Sequence, residues 1–398
     1  MSCTNKKFFI FSSFRLTSKI VCASIWVIGL SIHAGNVAAD QNSDFVDFLN
    51  TECNLTVIPA FNAACVAAGL GGGPSLPPNA SIVSNLGVSG AQSRTSNLPD
   101  KDQRKFAEDE GDSGSAAGSD DDSWGLLLAA QYGETDRKNS NFENGYDSEL
   151  SGIVIGFDYT FSGSLLAGVA LGITADEVSF KNNAGDLDTD SNSLTFFSTW
   201  ALNDNSALDA YLAVVDTEYD NRRNFAIGDP VVSGTASSST DSSQTLAGIG
   251  YSLDWQLDTW LVGTYINLDY LETEIDGYSE TGGAGFDLIY PGQSTESLTS
   301  TLGIRLSYAM NDFTPNFRFA AVHEHEDDAR DIETRLVLSP DSVFTLQTDS
   351  PDRNYLTGGF GLAGTLKSGA QWYIDYERRF EHDFLDNWAA SAGFLLVF

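Results

Sequence analysis

Beyond residue 39 the sequence holds three histidines: His323, His325 and His382. The run His323-Glu324-His325-Glu326, followed by Asp327 and Asp328, has the residue types of a metal site. On a strand, side chains at i and i+2 share a face, so two imidazoles could hold one ion. The same residues also sit where an alternating run gives way to an acidic loop. A solvated strand end accounts for them without an ion, so no metal site is assigned. His382-Asp383, preceded by Glu381, could supply a base and its orienting carboxylate. Hydrolysis would also need a nucleophile within reach of that imidazole. No position in the sequence can be placed there, and neither a Gly-x-Ser-x-Gly elbow nor a Gly-Asp-Ser-Leu run occurs. The expectation is a protein with no catalytic residue, no metal and no cofactor.

The remaining reactive pair is Cys53 and Cys65. Lys6, Lys7, Arg15 and Lys19 flank or precede the apolar run 20–30, which fades into Val37-Ala38-Ala39 before Asp40. Basic residues, a short apolar core and small residues at −3 and −1 predict a secretory signal over 1–39. Export carries the chain into an oxidising compartment, where two cysteines in one small segment are expected to pair. Residues 40–70 then form a small disulfide-containing segment. Residues 71–122 are rich in Gly, Ser and acidic residues and end at Asp120-Asp121-Asp122. They predict a flexible acidic linker with room for a short helix.

Lys and Arg total 21 against 55 Asp and Glu, a net charge of −34. Such a field repels phosphate backbones, so nucleic acid is excluded as a partner. A disordered acidic chain is excluded too, because 25 Phe, 14 Tyr and 7 Trp are far too many aromatics.

From residue 123 the apolar period becomes two. Ile153, Ile155, Phe157, Tyr159 and Phe161 alternate with Gly152, Val154, Gly156, Asp158 and Thr160. Trp372, Ile374, Tyr376 and Phe380 alternate with Tyr373, Asp375, Glu377 and Arg379. Twelve such segments are expected: 123–133, 149–161, 164–176, 191–202, 206–219, 242–254, 257–272, 297–309, 312–325, 354–366, 369–381 and 387–398. Short connections alternate with long ones; the short ones include Ser162-Gly163, Trp255-Gln256 and Ser368-Gly369. Aromatics such as Trp124, Trp200, Trp260, Trp372 and Trp388 gather near segment ends, as at bilayer interfaces. The fold class read from this is an all-β, 12-stranded antiparallel transmembrane β-barrel over 123–398. Arg305, Arg318, Asp375, Glu377 and Arg379 fall on the inward face and read as polar fill of a wet lumen, in contact with the linker.

In the last segment Ser391, Gly393, Leu396 and Phe398 fit a polar–x–Gly–x–x–hydrophobic–x–aromatic pattern. With Trp124-Gly125, Gly152–Tyr159, Leu166–Gly172, Gly303–Tyr308, Pro315–Glu324 and Trp372–Tyr376, all in order, the sequence resembles the autotransporter β-barrel domain family. The resemblance covers about residues 123–398. It implies insertion into the outer membrane and contact with its lipid and lipopolysaccharide. It further implies handling by periplasmic chaperones and the barrel-assembly machinery, which would read Ser391, Gly393, Leu396 and Phe398 as an assembly signal. The segment before the barrel would be displayed at the cell surface. A barrel that does not secrete, serving as a surface-loop binding protein or narrow pore, is the other expectation. Residues 40–122 lack the long β-helix usual in the family, so no activity of such large segments carries over.

Overall fold

A strand in hydrocarbon has no water to satisfy its backbone, so every N–H and C=O must find a partner on a neighbouring strand. The computed structural model meets that condition with a closed sheet. It describes residues 45, 47–49, 51–53, 123–161, 164–203, 205–227, 231–310, 313–326 and 328–398. The chain divides into two units, Met1–Ala38 and Ala39–Phe398, and all described residues belong to the second. The expected signal peptide, the linker 71–122 and Cys65 lie outside the described residues.

Sixteen strands are present among the described residues. They are β1 (Ser123–Arg137), β2 (Tyr146–Phe161), β3 (Leu165–Phe180), β4 (Gly185–Asn203), β5 (Ser206–Ile227), β6 (Val232–Leu257), β7 (Trp260–Ile275) and β8 (Tyr278–Ser279). There follow β9 (Leu288–Tyr290), β10 (Gln293–Tyr308), β11 (Phe313–Glu324), β12 (Asp331–Leu336), β13 (Ser339–Gln347), β14 (Asn354–Thr365), β15 (Gln371–Phe380) and β16 (Leu385–Val397). The barrel runs β1-β16-β15-β14-β11-β10-β7-β6-β5-β4-β3-β2, every neighbour antiparallel. It holds the expected twelve strands. β8, β9, β12 and β13 form a second sheet in the order β13-β12-β9-β8.

The seam is β1 against β16, from Gly125 opposite Val397 to Arg137 opposite Leu385. Trp124 and Phe398 finish it by exchanging two backbone hydrogen bonds of 2.9 Å. Outward residues carry the apolar belt, with Leu128, Ile155, Leu171, Phe196, Leu212, Ile304, Phe319 and Ile374 all exposed. Exposed Trp124, Trp200, Trp255 and Trp260 line its edge at the tight-turn end. Burying that belt in lipid is the main gain of insertion, roughly 25 cal/mol per Å² of apolar surface.

One barrel end carries the tight turns β2–β3, β4–β5, β6–β7, β10–β11 and β14–β15. The other carries the long connections β1–β2, β7–β10 and β11–β14, together with β3–β4, β5–β6 and β15–β16, which are shorter than the sequence suggested at four residues each. The β6–β7 turn lies further along than the sequence suggested. Strand β6 continues through Trp255 and Gln256, pairing Leu257 with Trp260. The turn is Asp258-Thr259, with Asp258 at φ 59°, a left-handed conformation that Asp tolerates. β5 and β6 also outrun their expected lengths, reaching 22 and 26 residues. Their additional residues pair with each other beyond the apolar belt, as in Asp220 with Ser239.

Register places the lumenal charges. Gly263 on β7 lies opposite both Asp254 on β6 and Arg305 on β10. With no side chain between them, Arg305 reaches across β7 to Asp254 through Nε (3.0 Å) and Nη2 (2.8 and 2.9 Å). A Cβ on Gly263 would overlap both partners. The device recurs at Gly359 on β14, which lies opposite Arg318 and Glu377. Arg318 crosses it to Asp375 (2.6 and 2.7 Å) and Glu377 (3.3 Å). Tyr211 likewise passes over Gly248 on β6 to give its hydroxyl proton to Asp269 on β7 at 2.8 Å.

Two outcomes follow from seam and register. Deleting Phe398 removes the last two seam bonds, about 1 kcal/mol each, whereas Phe398→Tyr keeps them and the ring. The amount of barrel that shifts in gel mobility on boiling should fall for the deletion and hold for Tyr; equal amounts would refute this. Gly263→Val should lower stability in urea by about 3 kcal/mol by separating a buried ion pair. Thr264→Val, one residue on and facing lipid, should not; equal unfolding midpoints for the two variants would show that the crossing pair holds nothing.

Candidate functional site

The described part of residues 45–53 is helical. Phe45 and Leu49, one turn apart, are buried, with Asp47 and Thr51 exposed on the opposite side. The buried face packs on the second sheet, which is built from the β7–β10 and β11–β14 connections and so lies at the long-connection end. One core contains Phe45, Leu49, Phe225, Ile227, Tyr278, Phe286, Leu288, Tyr290, Ile332, Leu336 and Leu346. The Phe344 ring of β13 lies 5.1 Å from that of Phe45 and 5.3 Å from that of Phe48. Glu52 accepts hydrogen bonds from Ser339 Oγ (3.1 Å) and Ser342 Oγ (2.6 Å).

The second sheet caps the barrel and is tied to it by buried ion pairs, Arg137 with Asp349 (2.7 Å) and, most fully bonded, Arg223 with Glu280. Arg223 on β5 gives Nε–H and Nη2–H to the two oxygens of Glu280 at 2.8 and 2.6 Å. It also donates to Phe286 O, while Leu288 N–H donates to Glu280. Both residues are 2% exposed. Such a forked, fully bonded pair orients β8 and β9 over the mouth. Burial, then the Glu280 charge, holds the phenols of Tyr278 and Tyr290 above their ordinary pKa, so both stay neutral. An isolated bridge, Ser237 to Thr281, joins β6 to this region.

Inside the barrel, Arg305, Arg318, Asp375, Glu377 and Arg379 all line one cavity of about 450 Å³. The guanidinium of Arg379 lies 4.4 Å from the ring centre of Tyr355. Asp254, Asp269 and Arg223 were not singled out in the sequence. For Asp254 register supplies a usable signal, since an inward arginine beside a glycine on the next strand calls for a carboxylate one strand further. Asp269, bonded to Tyr211, and Arg223, bonded to Glu280, carry no such signal. Of the C-terminal signal residues, Ser391 faces inward opposite Asp375, Gly393 accommodates the Tyr373 ring, and Leu396 and Phe398 point outward. Cys53 is disulfide-bonded at the end of the helix; its expected partner Cys65 lies outside the described residues.

The histidines serve local structure. The His323 and His325 rings meet edge to face at 4.7 Å. Each is bonded to a neighbouring strand, His323 Nδ1 with Asn354 Oδ1 (2.8 Å) and His325 Nε2 with Ser300 Oγ (3.1 Å). Nδ1 of His382 accepts the N–H groups of Phe384 and Leu385. Burial, and then the Arg379 charge, lowers its pKa to about 4. Asp352, 3.6 Å away, accepts from the Asp383 N–H instead. His382 is thus a neutral brace of the β15–β16 connection.

These features match known proteins. The family model "Autotransporter beta-domain" matches residues 126–377. Esterase EstA of Pseudomonas aeruginosa is 30% identical over 251 residues, covering 57% of this chain and 37% of that protein. Outer membrane protein B of Rickettsia japonica is 22% identical over 289 residues, or 70% of this chain and 17% of that protein. This chain thus spans little more than a third of the length of EstA. In structure, the translocator domain of the autotransporter NalP from Neisseria meningitidis superposes with a TM-score of 0.58 at 14% identity, covering 78% of this chain and 97% of that one. The β domain of the Bordetella autotransporter BrkA gives 0.51 at 19%, covering 69% and 100%. With closed barrel, register and family model in agreement, the chain belongs to the autotransporter β-domain family.

Proposed function

We propose that this outer-membrane barrel carries its N-terminal segment to the cell surface and displays it there. One observation carries the reading. The 45–53 helix is docked at the long-connection end, while β1 begins beside Phe398 at the tight-turn end. The intervening chain must therefore travel the height of the barrel. A bilayer with its interfaces is about 40–45 Å thick, which roughly 14 extended residues cover. Far more than that separate Cys53 from Ser123. On this reading the long-connection end faces the exterior, and the tight turns face the periplasm. Lipid and lipopolysaccharide surround the apolar belt, periplasmic chaperones hold the unfolded chain, and the assembly machinery engages β16 through Ser391, Gly393, Leu396 and Phe398. No catalytic step is assigned. The name esterase belongs to a relative of which this chain matches only the stated part.

Epitope insertions test the topology. Tags after Asn62 and near Ser140 should both stain on intact cells, and a tag in the Ser368-Gly369 turn should stain only after permeabilisation. If the Ser140 tag stains and the Asn62 tag needs permeabilisation, display falls and a barrel that does not secrete remains.

A further inference from the structure

We infer that the cap sheet is a built-in receptor for residues 45–53, holding the N-terminal segment on the barrel without a covalent bond, so that cutting the linker does not release it. The inference rests on the display reading only for the side of the membrane on which the docked face lies.

Three observations support it. The contact is a shared core and not a surface touch: Phe45 and Leu49 are 1% and 0% exposed, and the residues around them come from β5, the β7–β10 connection and the β11–β14 connection. The contact has a polar lock of its own, the Glu52 carboxylate on two serine hydroxyls of the β12–β13 hairpin. Neither side is self-sufficient. A helical segment this short is marginal in water, and strands of two and three residues such as β8 and β9 need a packed face to persist. Helix and cap should therefore order together.

The hold has to be non-covalent, because no cysteine occurs between residues 66 and 398. Its chemistry is that of an amphipathic helix in an apolar groove, read through anchors at i and i+4 with one buried carboxylate hydrogen-bonded beside them. The receptor surface and its ligand belong to one chain, so the effective concentration is high while the linker is intact. What the packing adds is persistence after cleavage.

The test uses the full-length protein, purified and folded in detergent. A specific-protease site flanked by Gly-Ser spacers is inserted after Gly72, and the cut protein is run on native size exclusion. The fragment ending at the cut should co-elute with the barrel and separate only on boiling. Leu49→Ala should speed its release at least about 30-fold, and Phe344→Ala, on the receptor side, should do so too. Thr51→Ala, on the exposed face, should not. Barrel closure is checked for every variant by the mobility shift on boiling, since Leu49 and Phe344 lie outside the closed sheet. A fragment that leaves the wild-type barrel, or variants that retain it equally, would overturn the inference. Because this assay does not depend on membrane sidedness, a segment docked on the periplasmic side would pass it and fail the Asn62 staining.

Discussion

Hydrocarbon accepts no hydrogen bonds, and that constraint forces β1 and β16 together. A sheet in lipid with two free edges would leave two rows of unsatisfied backbone groups, each costing several kcal/mol. Closure through thirteen facing pairs, from Gly125–Val397 to Arg137–Leu385, removes both edges. With antiparallel neighbours throughout and an even number of strands, closure also fixes where β1 starts and where β16 finishes. Both lie at the tight-turn end. The location of every other functional feature follows from that one.

Closure then sets the problem of the inside. A barrel of this size has a wet, charged interior, and its arginines need partners that the adjacent strand does not supply. Gly263 and Gly359 solve this by leaving gaps through which Arg305 and Arg318 reach the strand beyond. Each such bridge ties three strands together, so the lumenal charges stiffen the wall they line. The mouth at the other end is handled differently. There the Arg223–Glu280 pair and a compact apolar core hold a small sheet over the opening, and the N-terminal helix completes that core.

The barrel was legible in the sequence because lipid on one side and water on the other impose period two on every strand. Run 152–161 carries that pattern without interruption, and 371–380 carries it with one break, at Arg378. The turn after β6 was misplaced because Trp255-Gln256 looks like an interfacial pair ending a strand. Pairing of Leu257 with Trp260 decided otherwise. The cap sheet was not legible. β8 and β9 hold two and three residues, too few for any periodicity, and their partner β12 is contributed by a different connection. The docked helix was not legible either: Phe45 and Leu49 stand four residues apart, but nothing in the sequence says what they meet. Asp254 was hidden for a similar reason, since its partner is 51 residues away.

The account stands or falls on the helix being at the long-connection end. Nuclear Overhauser contacts in detergent-solubilised protein, deuterated except for its phenylalanine rings, test this directly. The rings of Phe45 and Phe48 should each show cross-peaks to Phe344, and those peaks should vanish in Phe344→Leu. Cross-peaks from Phe45 and Phe48 to Phe313 beside the β10–β11 turn, or to no phenylalanine outside their own segment, would contradict the account.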